Sequence, residues 1–168
     1  MTAKLIIIRG NSCSGKTTTA RCLQKRFGPG KALLVSQDVV RIEMLQVKDR
    51  PSNLAIQLIE DIVRFGKNHS DIVILEGILP SKIYNEMVVR LIDLFENQTY
   101  SYYFDLPFEV TQKRFQQSNK IEKFEEEKLS QWWLEKDYLN LSAEHCFDEL
   151  DTEEFCVEKI LSDVGYEE

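Results

Sequence analysis

Nothing in this chain approaches the run of ~20 apolar residues that a membrane-spanning helix needs. Its four cysteines, Cys13, Cys22, Cys146 and Cys156, include no C-x-x-C pair, so the common zinc and thiol-redox spacings are absent. The N-terminal apolar run, Leu5-Ile6-Ile7-Ile8, is only four residues long, short for a secretory core. The expectation is therefore free thiols in a reducing, cytoplasmic setting. Positive charge is also in short supply: Lys and Arg number 21 against 28 Asp and Glu, a net charge of −7. That balance argues against a protein whose main task is gripping nucleic acid through its phosphates, although a local basic groove is compatible with it. No linker, internal repeat or low-complexity tract interrupts the sequence. A length of 168 residues suffices to bury a core without staples, so residues 1–168 are expected to form one domain.

What is present is concentrated near the start. Gly10-Asn11-Ser12-Cys13-Ser14-Gly15-Lys16-Thr17 is a complete G-x-x-x-x-G-K-[ST] pattern. With ordinary residue usage it would arise by chance in a chain of this length at most about one time in a hundred. Its chemistry is that of a phosphate-binding loop. The glycines let the backbone curl so that successive N–H groups converge on phosphates, Lys16 reaches the β- and γ-phosphates, and the Thr17 hydroxyl is placed to ligate Mg²⁺. The helix that follows, with Thr18 in its first turn and Ala20, Leu23 and Phe27 on one face, adds its positive end. Residues 10–18 are thus the candidate nucleotide-binding set. Cys13 lies inside this loop near a helix N-terminus, an environment that lowers thiol pKa values, so redox gating stands beside the simpler reading that a small residue fits there.

Apolar runs alternate with helical periodicities nearly from end to end, the pattern of a parallel sheet wrapped by crossover helices. Strands are predicted at Lys4 to Arg9, Ala32 to Ser36, Asp71 to Glu76, Thr99 to Asp105 and, weakly, Glu144 to Phe147. Between them, Leu54, Leu58, Ile59, Ile62 and Phe65 recur at helical spacing over 51–67, as do Ile83, Met87, Val88, Leu91 and Phe95 over 81–97, and both sets read as core faces. Asp105 and Pro107 signal the start of a helix running through Val110 and Phe115 to about Ser118. The stretch 119–128 reads as a charged, solvated segment, and Glu153 to Ser162 as a last helix opened by Asp151-Thr152.

Ligands of open α/β sheets lie at the carboxyl ends of the strands, which singles out three carboxylates. Asp38 follows the second strand and begins a helix; it is either a first-turn cap or a general base for an acceptor hydroxyl during in-line phosphoryl transfer. Arg41, one helical turn on, either faces the same cleft and anchors the acceptor or is a surface arginine. Glu76 ends the third strand, where a buried carboxylate would contact Mg²⁺ through water or hold the acceptor. Asp105 reads as a cap for the helix at Pro107. For charge that develops in transfer, Arg114 is the best cation, ahead of Lys113, Lys120 and Lys123, with a solvated basic helix face as the plain alternative. Trp132-Trp133 should dock the returning helix onto the body, with a stacking platform for a substrate ring as the alternative, and the Asp151-Thr152 turn could line an adenine pocket.

These residues carry a family likeness over nearly the whole chain. Ile6 to Thr17, Arg21-Cys22-Leu23-Gln24, and Ser36-Gln37-Asp38 with Ile42-Glu43-Met44 resemble the small P-loop kinases of the adenylate and shikimate kinase type, and most closely the chloramphenicol phosphotransferase and zeta toxin branch. The resemblance implies a three-layer P-loop NTPase fold with strand order 2-3-1-4-5, helices on both faces, a small lid near 114–132, and Mg-ATP as donor. It also implies that Asp38 is the base. The region 119–128 lacks the paired arginines of many nucleotide kinases, which leaves lid chemistry to Arg114 or lysines. The function expected is phosphoryl transfer from Mg-ATP to a hydroxyl of a small molecule (a nucleoside, sugar, nucleotide sugar or antibiotic), with Lys16, Asp38 and Arg114 catalytic. The alternative is a nucleotide-hydrolysing switch that acts through a protein partner. No motif selects the acceptor or the oligomeric state.

Overall fold

The computed structural model describes residues 2–96, 98–118, 126–139 and 143–166. Five strands form one all-parallel sheet: β1 (Lys4–Gly10), β2 (Ala32–Ser36), β3 (Ile72–Gly77), β4 (Thr99–Phe104) and β5 (Glu144–Phe147), in the order β2-β3-β1-β4-β5. The helices are α1 (Lys16–Phe27), α2 (Leu54–His69), α3 (Ser81–Leu94), α4 (Phe108–Gln116), α5 (Glu126–Gln131) and α6 (Glu153–Asp163), with a π-helical turn, Val39–Met44, after β2.

Strand periodicity sorts the apolar residues into two cores. Leu5 and Ile7 of β1 with Val73 and Leu75 of β3 face α2 and α3, while Ile6, Ile8, Ile72 and Ile74 face α1 and α6. A sheet buried on both faces must be apolar at every position rather than at alternate ones, which is why its strands read as continuous runs. Two helix starts are capped by side chains: Asn53 Oδ1 accepts from Ala55 N–H at 2.9 Å before α2, and Thr152 Oγ1 from Phe155 N–H at 3.1 Å before α6.

Three expectations need correction. Leu54 and Phe65 of α2 are exposed, whereas Ile59 is buried and Leu58 and Ile62 pack against the core as expected, joined by Ala55, Val63 and Gly66. The apolar arc of a 16-residue helix drifts, so residues that share a spacing do not all stay on the buried side. Asp105 caps nothing: α4 begins after Pro107 without a side-chain cap, and Asp105 accepts a 2.5 Å hydrogen bond from the Tyr138 hydroxyl. The turn after Asp38 is π-helical, and Asp38 makes no capping hydrogen bond. Within the lid expected at 114–132, residues 119–125, Lys120 and Lys123 included, lie outside the described residues.

Candidate active site

The carboxyl ends of β2, β3 and β4, at Ser36, Glu76 and Phe104, and the loop after β1 open onto one cleft of about 610 Å³. Gly15 takes φ +102° and turns the chain from the loop into α1, a conformation that excludes a side-chain-bearing residue without strain. The Lys16 ammonium, buried, donates to the Asn11 carbonyl at 3.2 Å. The Thr17 hydroxyl donates to Glu76 Oε2 at 3.0 Å, and Glu76 is only 2 % exposed. Both follow from sheet register: Glu76 stands beside Ile8 of β1 and Ser36 of β2, level with the last turn of strand before the loop.

Arg114, in the last turn of α4, donates to the Ser14 carbonyl at 2.8 Å, so a guanidinium lies over the loop. The Ser14 hydroxyl is buried and has no hydrogen-bond partner among the described residues. A buried donor left unmade costs about 1–3 kcal/mol, and an anion in the loop would satisfy it. The same cleft wall includes Asp38, Thr18 and Cys13. The Asp38 carboxylate is 61 % exposed and pairs loosely with Arg41 Nη2 at 3.6 Å. Arg41 itself turns to the Val47 carbonyl, 3.1 Å from Nη1, and is not part of the cleft wall. Cys13 adopts φ +62°. Asp148, Asp151 and Glu153 also line the cleft, with Cys156 behind them, its thiol pushed up to about 12 mainly by burial. Trp133 packs edge to face on Phe108 at 5.2 Å, docking the return segment against α4.

The donors suit their expected guests. Thr17 and Glu76 place two hard oxygens side by side, the chemistry that Mg²⁺ takes when phosphates and water complete its shell. Among the described residues no cluster of three or more His, Cys, Asp or Glu could hold a metal alone.

Several residues around the cleft escape sequence reasoning. Arg21 and Glu43 line it, yet nothing local distinguishes them from surface charges. Gln37, buried, receives Leu79 N–H at 2.9 Å and donates to Asp49 at 3.0 Å; the Tyr84 hydroxyl donates to the other Asp49 oxygen at 2.7 Å. Burial is the main cause that pushes Tyr84 up to about 12, so it remains a donor. This network holds the chain on either side of Asp38 and Glu76. Arg9, fully buried, bridges Glu144 at 3.0 Å and Asp137 at 3.0 Å; a cation between Ile8 and Gly10 was the available signal.

No protein-family model and no curated protein matches the chain. Solved structures do. An APS kinase from Mycobacterium tuberculosis in complex with AMPPNP and APS superposes with a TM-score of 0.72 at 11 % identity, covering 96 % of each chain. A gluconokinase from Sinorhizobium meliloti gives 0.67 at 10 % identity, over 98 % of this chain and 93 % of that one. The Deinococcus radiodurans tunicamycin resistance protein gives 0.64 at 13 % identity over 98 % of both. The chain therefore has the P-loop NTPase fold, with the expected strand order. No helix among the described residues is long and apolar enough to cross a membrane.

Proposed function

We propose that this chain transfers the γ-phosphoryl group of Mg-ATP to a hydroxyl of a small molecule. One observation carries the reading: a single cleft is walled both by Cys13 to Thr17 of the loop, with its buried lysine, and by Asp38, an exposed carboxylate unengaged by any cap. A hydrolytic switch has no need of the second feature. Residues 10–18 hold the nucleotide, and Thr17 with Glu76 holds the metal. Bound there, the metal would neutralise phosphate charge and the nucleotide would supply the group transferred.

The chain's own residues divide the remaining work. Asp38 accepts the proton of the acceptor hydroxyl, and Arg41 at 3.6 Å steadies its carboxylate. Arg41 thus serves the acceptor through Asp38, and Glu76 borders the acceptor side through Ser36. Lys16 and Arg114 meet the negative charge that spreads over the phosphoryl oxygens from two sides of the loop. The kinases of like fold act, by their names, on gluconate and APS.

The test is an ATP-consumption screen against nucleosides, sugars, nucleotide sugars and hydroxylated antibiotics, with Lys16→Ala and Asp38→Asn in parallel. Acceptor-dependent turnover should vanish in Lys16→Ala and fall ~10²-fold or more in Asp38→Asn, with nucleotide affinity of the latter nearly intact. Turnover indifferent to every acceptor, yet stimulated by a protein, would sink the kinase reading.

A further inference from the structure

Asn11 sits in the loop sequence but not in the cleft wall. Its side chain, 5 % exposed, pairs with a single distant residue: Nδ2 donates to the Leu134 carbonyl at 2.7 Å and Oδ1 accepts from Leu134 N–H at 2.9 Å. This is the reciprocal pairing a neighbouring strand would give, made by a side chain across 123 residues of sequence. The Asn11 main-chain carbonyl is also the group that receives the Lys16 ammonium.

The partner segment is itself fixed. Three residues after Leu134, the Asp137 carbonyl and carboxylate receive Arg9 Nη2 at 2.8 and 3.0 Å. The same carboxylate takes Ser81 N–H at 2.8 Å and the Ser81 hydroxyl, and Asp137 N–H reaches the Tyr103 hydroxyl at 3.2 Å. One residue before Leu134, Trp133 packs on Phe108 at the start of α4, whose last turn carries Arg114. The segment 133–137 therefore touches the supports of both cations that face the loop.

We propose that Asn11 is a positioning residue: its side-chain clasp on Leu134 orients its own carbonyl, and through that carbonyl sets where the Lys16 ammonium stands. The proposal rests on the kinase reading above. The two hydrogen bonds, to the N–H and the carbonyl of Leu134, hold the Asn11 side chain and with it the position of the Asn11 Cα, which narrows the range open to the carbonyl that this Cα carries. Loss of the clasp lets the carbonyl and the ammonium drift. Misplacement of a catalytic group by about 1 Å costs on the order of 10²-fold in rate. Ground-state nucleotide affinity, spread over the whole loop, should suffer little.

The experiment compares Asn11→Ala, the isosteric Asn11→Asp, and Tyr102→Phe, which removes a remote 2.8 Å bond to Asp163, in turnover of Mg-ATP, in ADP affinity by calorimetry and in melting temperature. Asn11→Ala should lose about tenfold or more in kcat with ADP affinity within about threefold. Asn11→Asp keeps the acceptor for Leu134 N–H and regains the donor to the Leu134 carbonyl only when protonated. Its kcat relative to the unaltered chain should therefore lie below one at neutral pH, where the carboxylate repels the Leu134 carbonyl. A melting-temperature loss like that of Tyr102→Phe with kcat unchanged in Asn11→Ala, or a kcat of Asn11→Asp equal to that of the unaltered chain at neutral pH, would overturn the proposal and leave a structural tie. If the unaltered chain neither binds ADP nor turns over ATP, the kinase reading itself falls and this one with it. That result is read before any variant is made, so the two failures are distinct.

Discussion

The Thr17 hydroxyl and the Glu76 carboxylate, 59 residues apart in sequence, meet at 3.0 Å where β3 ends beside the loop leaving β1. Glu76→Gln keeps the volume and an oxygen to accept from Thr17 but removes the charge. Burying a carboxylate is costly, so the variant should melt at an equal or higher temperature. Its Mg²⁺ requirement should rise, and kcat should fall by about 10²-fold. A Mg²⁺ titration of ATP turnover checks this; an unchanged Mg²⁺ dependence would reduce Glu76 to a hydrogen-bond acceptor.

Arg114 reaches the Ser14 carbonyl through Nη1, which leaves the rest of its fork for phosphate oxygens. Arg114→Ala should lower kcat by about 10²- to 10³-fold. Lysine should restore little of it, since one compact ammonium cannot hold the carbonyl and face the phosphates together. Steady-state kinetics of both variants decide the matter, and an effect confined to KM would place Arg114 in uniform binding.

Gly77 lies under the Gln37 side chain: a Cβ there would stand 2.5 Å from Gln37 Oε1 and 2.6 Å from Gln37 Cβ. Gly77→Ala must push Gln37 from its bonds to Leu79 and Asp49. A loss of about 1–3 kcal/mol is expected in urea denaturation. Because Gln37 precedes Asp38, kcat should drop as well, whereas a fully stable and active variant would mean that the strand end yields freely.

Glu60, buried between α2 and α3, is paired with Arg90 at 2.7 Å and Arg64 at 2.7 Å. The Arg90 hydrogen bond is the foremost cause holding its carboxyl below the ordinary value of 4.5, outweighing the upward push of burial. A carboxyl with a depressed folded-state pKa contributes stability that is present above the unfolded value and lost as pH falls through the folded one. The melting-temperature gap between the unaltered chain and Glu60→Gln should therefore be widest near neutral pH and close below about 4.5. A gap that stays constant from pH 7 to pH 3 would show that packing, not charge, is what the substitution removes.

The strand pattern was legible because a doubly covered parallel sheet demands unbroken apolar runs: Lys4–Gly10 and Ile72–Gly77 form where Leu5-Ile6-Ile7-Ile8 and Ile72-Val73-Ile74-Leu75 put them. The loop was equally legible. Its glycines and lysine carry local constraints of backbone conformation and charge that any fold must honour. So the sequence by itself determined the elements, the loop and the carboxylates at the strand ends, since each depends on neighbours within a few residues. Tertiary structure alone decided that Arg9 would be buried between Asp137 and Glu144, that Asn11 would grip Leu134, that Asp105 would take Tyr138 rather than a helix end, and that Leu54 and Phe65 would face water. Most of these pairings join segments more than 100 residues apart, and hydrophobic period says which face of an element is buried but not which partner the chain's return path brings against it.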